Sequence, residues 1–75
     1  MLPDLERKLL RILFNFSTQR RRMPMMGELT RMTGRKKEDI LEGLRALERE
    51  QYIHWPDPPQ LQDILVLEAW DRGVL

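Results

Sequence analysis

The stretch that decides the fold is Glu28-Leu29-Thr30-Arg31-Met32-Thr33-Gly34-Arg35-Lys36-Lys37-Glu38-Asp39-Ile40-Leu41-Glu42-Gly43-Leu44-Arg45-Ala46-Leu47-Glu48-Arg49-Glu50-Gln51-Tyr52-Ile53. Leu29 and Met32 stand one helical turn apart, and Gly34 follows as a C-terminal breaker. This predicts a short helix over about 26–33. Ile40, Leu41, Leu44 and Leu47 make the apolar stripe of a longer helix over about 36–50. Gly43 interrupts it at a cost of about 1 kcal/mol against Ala, which points to a neighbour that approaches closely. At Gln51-Tyr52-Ile53-His54-Trp55 the pattern becomes strand-like.

Upstream, Leu5, Leu9, Ile12, Leu13 and Phe16 follow helical spacing and predict a first helix over about 3–17. Pro3 suits its first position, and Asp4 and Glu6 suit the positive end of its dipole. Arg7, Lys8, Arg11 and Asn15 fall on its other face. A polar connection, Thr18-Gln19-Arg20-Arg21-Arg22, leads into an extended bridge at Met23-Pro24-Met25. Downstream, a Pro56-Asp57-Pro58-Pro59 turn cluster lies in a loop over 56–63. It separates predicted strands over about 52–55 and 64–70. The second strand opens with Ile64-Leu65-Val66-Leu67, apolar on both faces.

The predicted order is helix, bridge, helix, helix, strand, loop, strand: a mainly α chain with a small β-hairpin. That order, with Glu28–Gly34 and Ile40…Leu44…Leu47-Glu48…Tyr52-Ile53, resembles the winged helix-turn-helix superfamily, in particular MarR- and ArsR-type bacterial transcriptional regulators. The resemblance covers about residues 5–70. It implies one winged-helix domain over 1–75, with a three-helix core and a C-terminal wing. The expected core is Leu9, Ile12, Leu13, Phe16, Leu29, Ile40, Leu44, Leu47, Ile53 and part of the Leu65/Leu67 pair. One residue departs from the pattern: where the family often has Gly between the third helix and the wing, this chain has Gln51.

The chain has 75 residues, no Cys, 41% hydrophobic and 33% charged residues, and a formal net charge of +1. The small total conceals an asymmetry. Residues 1–37 carry ten Lys/Arg against three Asp/Glu, a net +7, and residues 38–75 carry three Arg against nine acids, a net −6. The break falls at Lys37-Glu38, inside the first turn of the third helix.

In the superfamily the third helix enters the DNA major groove and the wing touches the backbone or minor groove. The resemblance therefore implies a small regulator that binds duplex DNA, as a dimer. Arg35, Lys36 and Lys37 would act at the start of the recognition helix, and Arg20, Arg21, Arg22 and Arg31 on phosphates. Arg20–Arg22 with Arg31 and Arg35 would form one basic face. Against this stand Glu38, Asp39 and Glu42 on the reading helix. Acids in a first turn also stabilise a helix through its dipole. From Glu50 to Asp71 there is no Lys or Arg, so the wing is poorly made for tracking phosphates. A protein-interaction module that does not bind DNA is the alternative, using the acidic third helix and wing or the apolar C-terminal strand. Its partners would be an acidic protein on the basic half, or a second copy, whose two halves are complementary. Leu61, Val66, Trp70, Val74 and Leu75 supply apolar residues for such an interface.

One His (His54), one Ser (Ser17) and no Cys leave no triad or thiol chemistry. No His/Cys cluster points to a metal, and no Gly-rich phosphate loop points to a cofactor. The expectation is a non-enzymatic protein without cofactor. The first residues carry no basic and apolar leader, and no apolar run reaches a membrane-spanning length. Both imply a cytoplasmic protein without a membrane partner.

Overall fold

The first helix, α1, spans Asp4–Asn15 and begins after Pro3, whose carbonyl accepts the Arg7 N–H at 3.0 Å. Asp4 and Glu6 sit in its first turn, at the positive end of the helix dipole. In this computed structural model, which describes residues 2–70, the helical course does not stop at Ser17. It widens into a π-helical turn, Phe16–Arg20. The local cause is two hydroxyls competing for one carbonyl. Ser17 and Thr18 both donate to the Phe14 carbonyl oxygen, at 2.9 and 3.0 Å. The segment 18–22, expected as a plain connection, is therefore helical as far as Arg20, and Arg21 ends the turn in the left-handed region (φ 55°).

Pro24 is buried, and Met25 is extended at φ −82°, ψ 159°. The next helix, α2, spans Met26–Thr33. Glu28 reaches back to accept the Met25 N–H at 2.7 Å, the return half of a capping box. Gly34 closes α2 in the left-handed region at φ 72°. Arg35 and Lys36 complete a three-residue turn, and α3 spans Lys37–Arg49.

The end of α3 is a Schellman motif. Tyr52 N–H donates to the Leu47 carbonyl and Gln51 N–H to the Glu48 carbonyl, both at 2.9 Å. Gln51 is the left-handed residue, at φ 62°. The position where the resembled family often has Gly thus keeps the glycine conformation with a glutamine in it.

Strands β1 (Ile53–His54) and β2 (Leu65–Val66) pair antiparallel, Ile53 with Val66 and His54 with Leu65. Both are shorter than the predicted 52–55 and 64–70. Past Val66, the Tyr52 carbonyl accepts the N–H groups of Leu67 and Glu68 at 2.8 and 3.1 Å. The 56–63 loop, which contains a cis Pro58-Pro59 peptide bond, is pinned inward. Trp55 is buried and its indole N–H donates to the Gln60 carbonyl at 2.7 Å, while Leu61 and Ile64 are buried beside it.

Leu9, Leu10, Leu13, Leu29, Ile40, Leu44, Leu47 and Ile53 form the fully buried centre. Ile12 and Phe16 join it as expected, and Leu2, Leu10, Tyr52, Trp55, Leu61 and Ile64 were not foreseen. Leu65 and Leu67 are not in the core: they are 59% and 56% exposed. A two-stranded sheet covers one face only, so Ile64 and Val66 turn inward and the alternate leucines stay in water. Gly43 carries the close approach of α1 to α3. A Cβ there would stand 2.8 Å from Leu9 Cδ1.

The described residues thus form a small α+β domain of three helices and one antiparallel hairpin, mainly α. None of the described helices is long and apolar enough to cross a membrane. Val74 and Leu75, expected at an interface, lie outside the described residues.

Candidate nucleic-acid interface

The seven basic residues singled out in the sequence are all exposed, and the fold sorts them into different surroundings. Arg22 is committed. Its guanidinium makes two parallel hydrogen bonds to Glu28, at 2.9 and 3.0 Å, and donates to the Met23 carbonyl at 3.2 Å. The Arg22 hydrogen bonds, followed by the Met25 N–H, hold the Glu28 carboxyl down at about 2, well below the usual carboxylate range. Arg22 is correspondingly held more firmly protonated. Arg20 and Arg22 also stand over the buried Phe16 ring, 5.0 and 5.1 Å from its centroid. Arg21 makes no hydrogen bond or ion pair among the described residues.

Glu28 lies in the first turn of α2, and Arg35 and Lys36 lie beyond its last turn. An eight-residue helix is about 12 Å long, so Arg22 and the α2–α3 turn sit at opposite ends of α2. The basic face expected from Arg20–Arg22, Arg31 and Arg35 would have to run the length of α2, which itself carries Arg31.

The α2–α3 corner holds Arg31, Lys36 and Lys37, with no ion-pair partner among the described residues. Lys36 is the N-cap residue of α3 and supplies no capping side chain. Arg35 is in different company. It lines a cleft of about 310 Å³ between the starts of α1 and α3, with Asp4, Glu6, Asp39 and Glu42. Carboxylate Oε2 of Glu6 is buried there with no hydrogen-bond partner among the described residues. Among the described residues no group of three or more His, Cys, Asp or Glu is arranged to hold a metal ion.

The exposed stripe of α3 runs Glu38, Glu42, Arg45, Arg49, spaced four, three and four. The two arginines in its second half were not among the candidate residues of the sequence reading. Their spacing from Glu42, three residues to Arg45 and four more to Arg49, was the available signal. The hairpin contributes no cation: His54 is exposed, and its loop carries Asp57 and Asp63. Trp70 is exposed, with the Arg11 guanidinium over its ring at 5.1 Å.

No protein-family model matches the chain, and no curated protein matches it.

Proposed function

We propose that this chain is a winged-helix DNA-binding protein acting in transcriptional control, with its contact surface at the α2–α3 corner. One observation carries the reading. Lys36 and Lys37 stand exposed at the positive end of α3 and Arg31 in the last turn of α2, all without an ion-pair partner among the described residues, on two helices joined by a three-residue turn that contains Gly34. Three uncommitted cations beside a helix N-terminus suit phosphate oxygens. Arg45 and Arg49 extend the cationic surface along α3, and an exposed carboxylate such as Glu42 can accept from a cytosine amino group. Arg22 is left out of the contact set because Glu28 already pairs with it, and Arg35, which makes no ion pair among the described residues, because the cleft it lines is otherwise acidic.

A salt titration of duplex binding tests this. Three phosphate contacts give a log–log slope of about −3, and Arg45 and Arg49 raise it to about −5 if they also engage. Absence of duplex binding at low salt refutes the proposal.

A second reading has its own observation: Glu38 and Glu42 open the α3 stripe, and the hairpin carries no Lys or Arg. It makes α3 and the hairpin a docking face for a basic protein. Lys37→Glu separates the two, abolishing duplex binding under the first reading and strengthening basic-partner binding under the second.

A further inference from the structure

Two adjoining cavities lie where the π-helical turn and the Met23–Met26 bridge meet the hairpin. One, of about 640 Å³, is lined by Phe14, Met23, Leu65, Val66 and Leu67 among others. The next, of about 700 Å³, is lined by Met23, Met25, Met26 and Leu61 among others. They share Arg21, Arg22, Met23 and Gln62, so they form one continuous groove. The groove runs beyond the single pocket of about 300–1,000 Å³ that a small molecule fills.

Its apolar side chains are left in water. Met25 is 70% exposed, and Leu65 and Leu67 stand out from the uncovered side of the hairpin. Apolar residues gathered in one groove differ from the scattered ones of an ordinary surface, and methionine adapts to partner side chains of varied shape. The charge of the groove is one-sided. Arg21 and Arg22 line both cavities, and among the described residues no Asp or Glu lines either. Glu28 already holds Arg22, which leaves the Arg21 guanidinium as the uncommitted cation on an apolar floor.

We propose that this groove binds an acidic–apolar segment of a partner protein, a stretch in which Leu, Ile or Phe is interleaved with Asp or Glu. The partner's aliphatic groups cover Met25, Leu65 and Leu67, and one of its carboxylates takes Arg21 as a charge-assisted pair. This surface does not include Arg31, Lys36 or Lys37, so it stands independently of the DNA reading.

Fluorescence anisotropy with a labelled peptide of about twelve residues that alternates Glu with Leu and Ile tests it. Two controls replace Glu by Lys and the aliphatic residues by Ser. The Glu/Leu peptide binds with a Kd of roughly 1–100 μM, and both controls bind at least about tenfold more weakly. Arg21→Asn keeps a residue that tolerates the left-handed backbone and weakens binding about tenfold. Leu67→Ser does likewise, and Arg21→Glu moves the preference to the Lys peptide. Lys37→Glu leaves peptide binding unchanged. Arg21 and Leu67 are both exposed, and thermal melts of the variants report that the fold is intact. No binding of the Glu/Leu peptide at ~1 mM, equal binding of the Glu and Lys peptides, or indifference to both Arg21→Asn and Leu67→Ser overturns the proposal. So does displacement of the peptide by duplex DNA, which would make the groove part of a nucleic-acid surface.

Discussion

Gln51→Gly stabilises this domain. Gln51 holds φ at 62° because two hydrogen bonds fix it there: its own N–H to Glu48 and the Tyr52 N–H to Leu47, both at 2.9 Å. The left-handed conformation costs a residue with a Cβ about 1–2 kcal/mol, and glycine avoids that cost. Glycine's extra freedom in the unfolded chain takes back about 0.5–1 kcal/mol. The Gln51 side chain is exposed, so its removal uncovers nothing in the core. The net gain is about 0.5–1 kcal/mol, which for a domain of this size raises Tm by about 2–8 °C. Thermal unfolding followed by circular dichroism, with urea titration to show an unchanged m-value, measures it. Gly34→Ala is the mirror experiment. Gly34 sits at φ 72° with no atom within 4 Å of a built Cβ, so its cost is conformational alone. It should lower stability by about 1 kcal/mol. If Gly34→Ala destabilises while Gln51→Gly leaves Tm unchanged or lower, the assignment of strain at Gln51 is wrong.

The Glu28 carboxyl is depressed to about 2 in the fold against an ordinary 4.5, so its pairing stabilises the protein above 4.5 and is lost as pH falls through that window. Urea midpoints should therefore show Glu28→Gln less stable than the parent at neutral pH, with the gap closing as pH falls from 4.5 toward 2. Lys36→Ser supplies the missing cap of α3 and removes one cation from the proposed DNA surface. Stability should rise by about 1 kcal/mol while the salt slope of duplex binding flattens by about 1. Gly43→Ala gains about 1 kcal/mol of helix propensity but forces a Cβ to 2.8 Å from Leu9 Cδ1, and Leu9 is fully buried. Overpacking of about 1–3 kcal/mol should win, giving a lower urea midpoint, and Leu9→Val in the same chain should recover part of it.

The helices were legible because their signals are local. Leu29 and Met32 before Gly34, and Ile40, Leu44 and Leu47 beyond it, carry period and breaker within a few residues of one another. The close approach at Gly43 was legible for the same reason: a glycine inside a helix costs about 1 kcal/mol, and close packing is one demand that offsets it. The π-helical turn was not, because Ser17 reads as the last residue of an ordinary helix and Thr18 as the start of a connection until both are seen to donate to Phe14. The candidate surface was half legible. The run Arg35-Lys36-Lys37 marked the α2–α3 corner, but its first member lines an acidic cleft built partly from Asp4 and Glu6, about thirty residues away.

By itself the sequence determined the element order, the main helical stripes, and the count of +7 followed by −6, since each depends on composition and near-neighbour spacing. The tertiary structure alone decided which charges remain available. It joined Arg22 to Glu28, set Arg35 among carboxylates and left Arg21 uncommitted. It also decided that Leu65 and Leu67 stay in water, because a two-stranded sheet has one covered face. Pairing and burial are relations between segments far apart along the chain, and only closure of the core sets the distances between them.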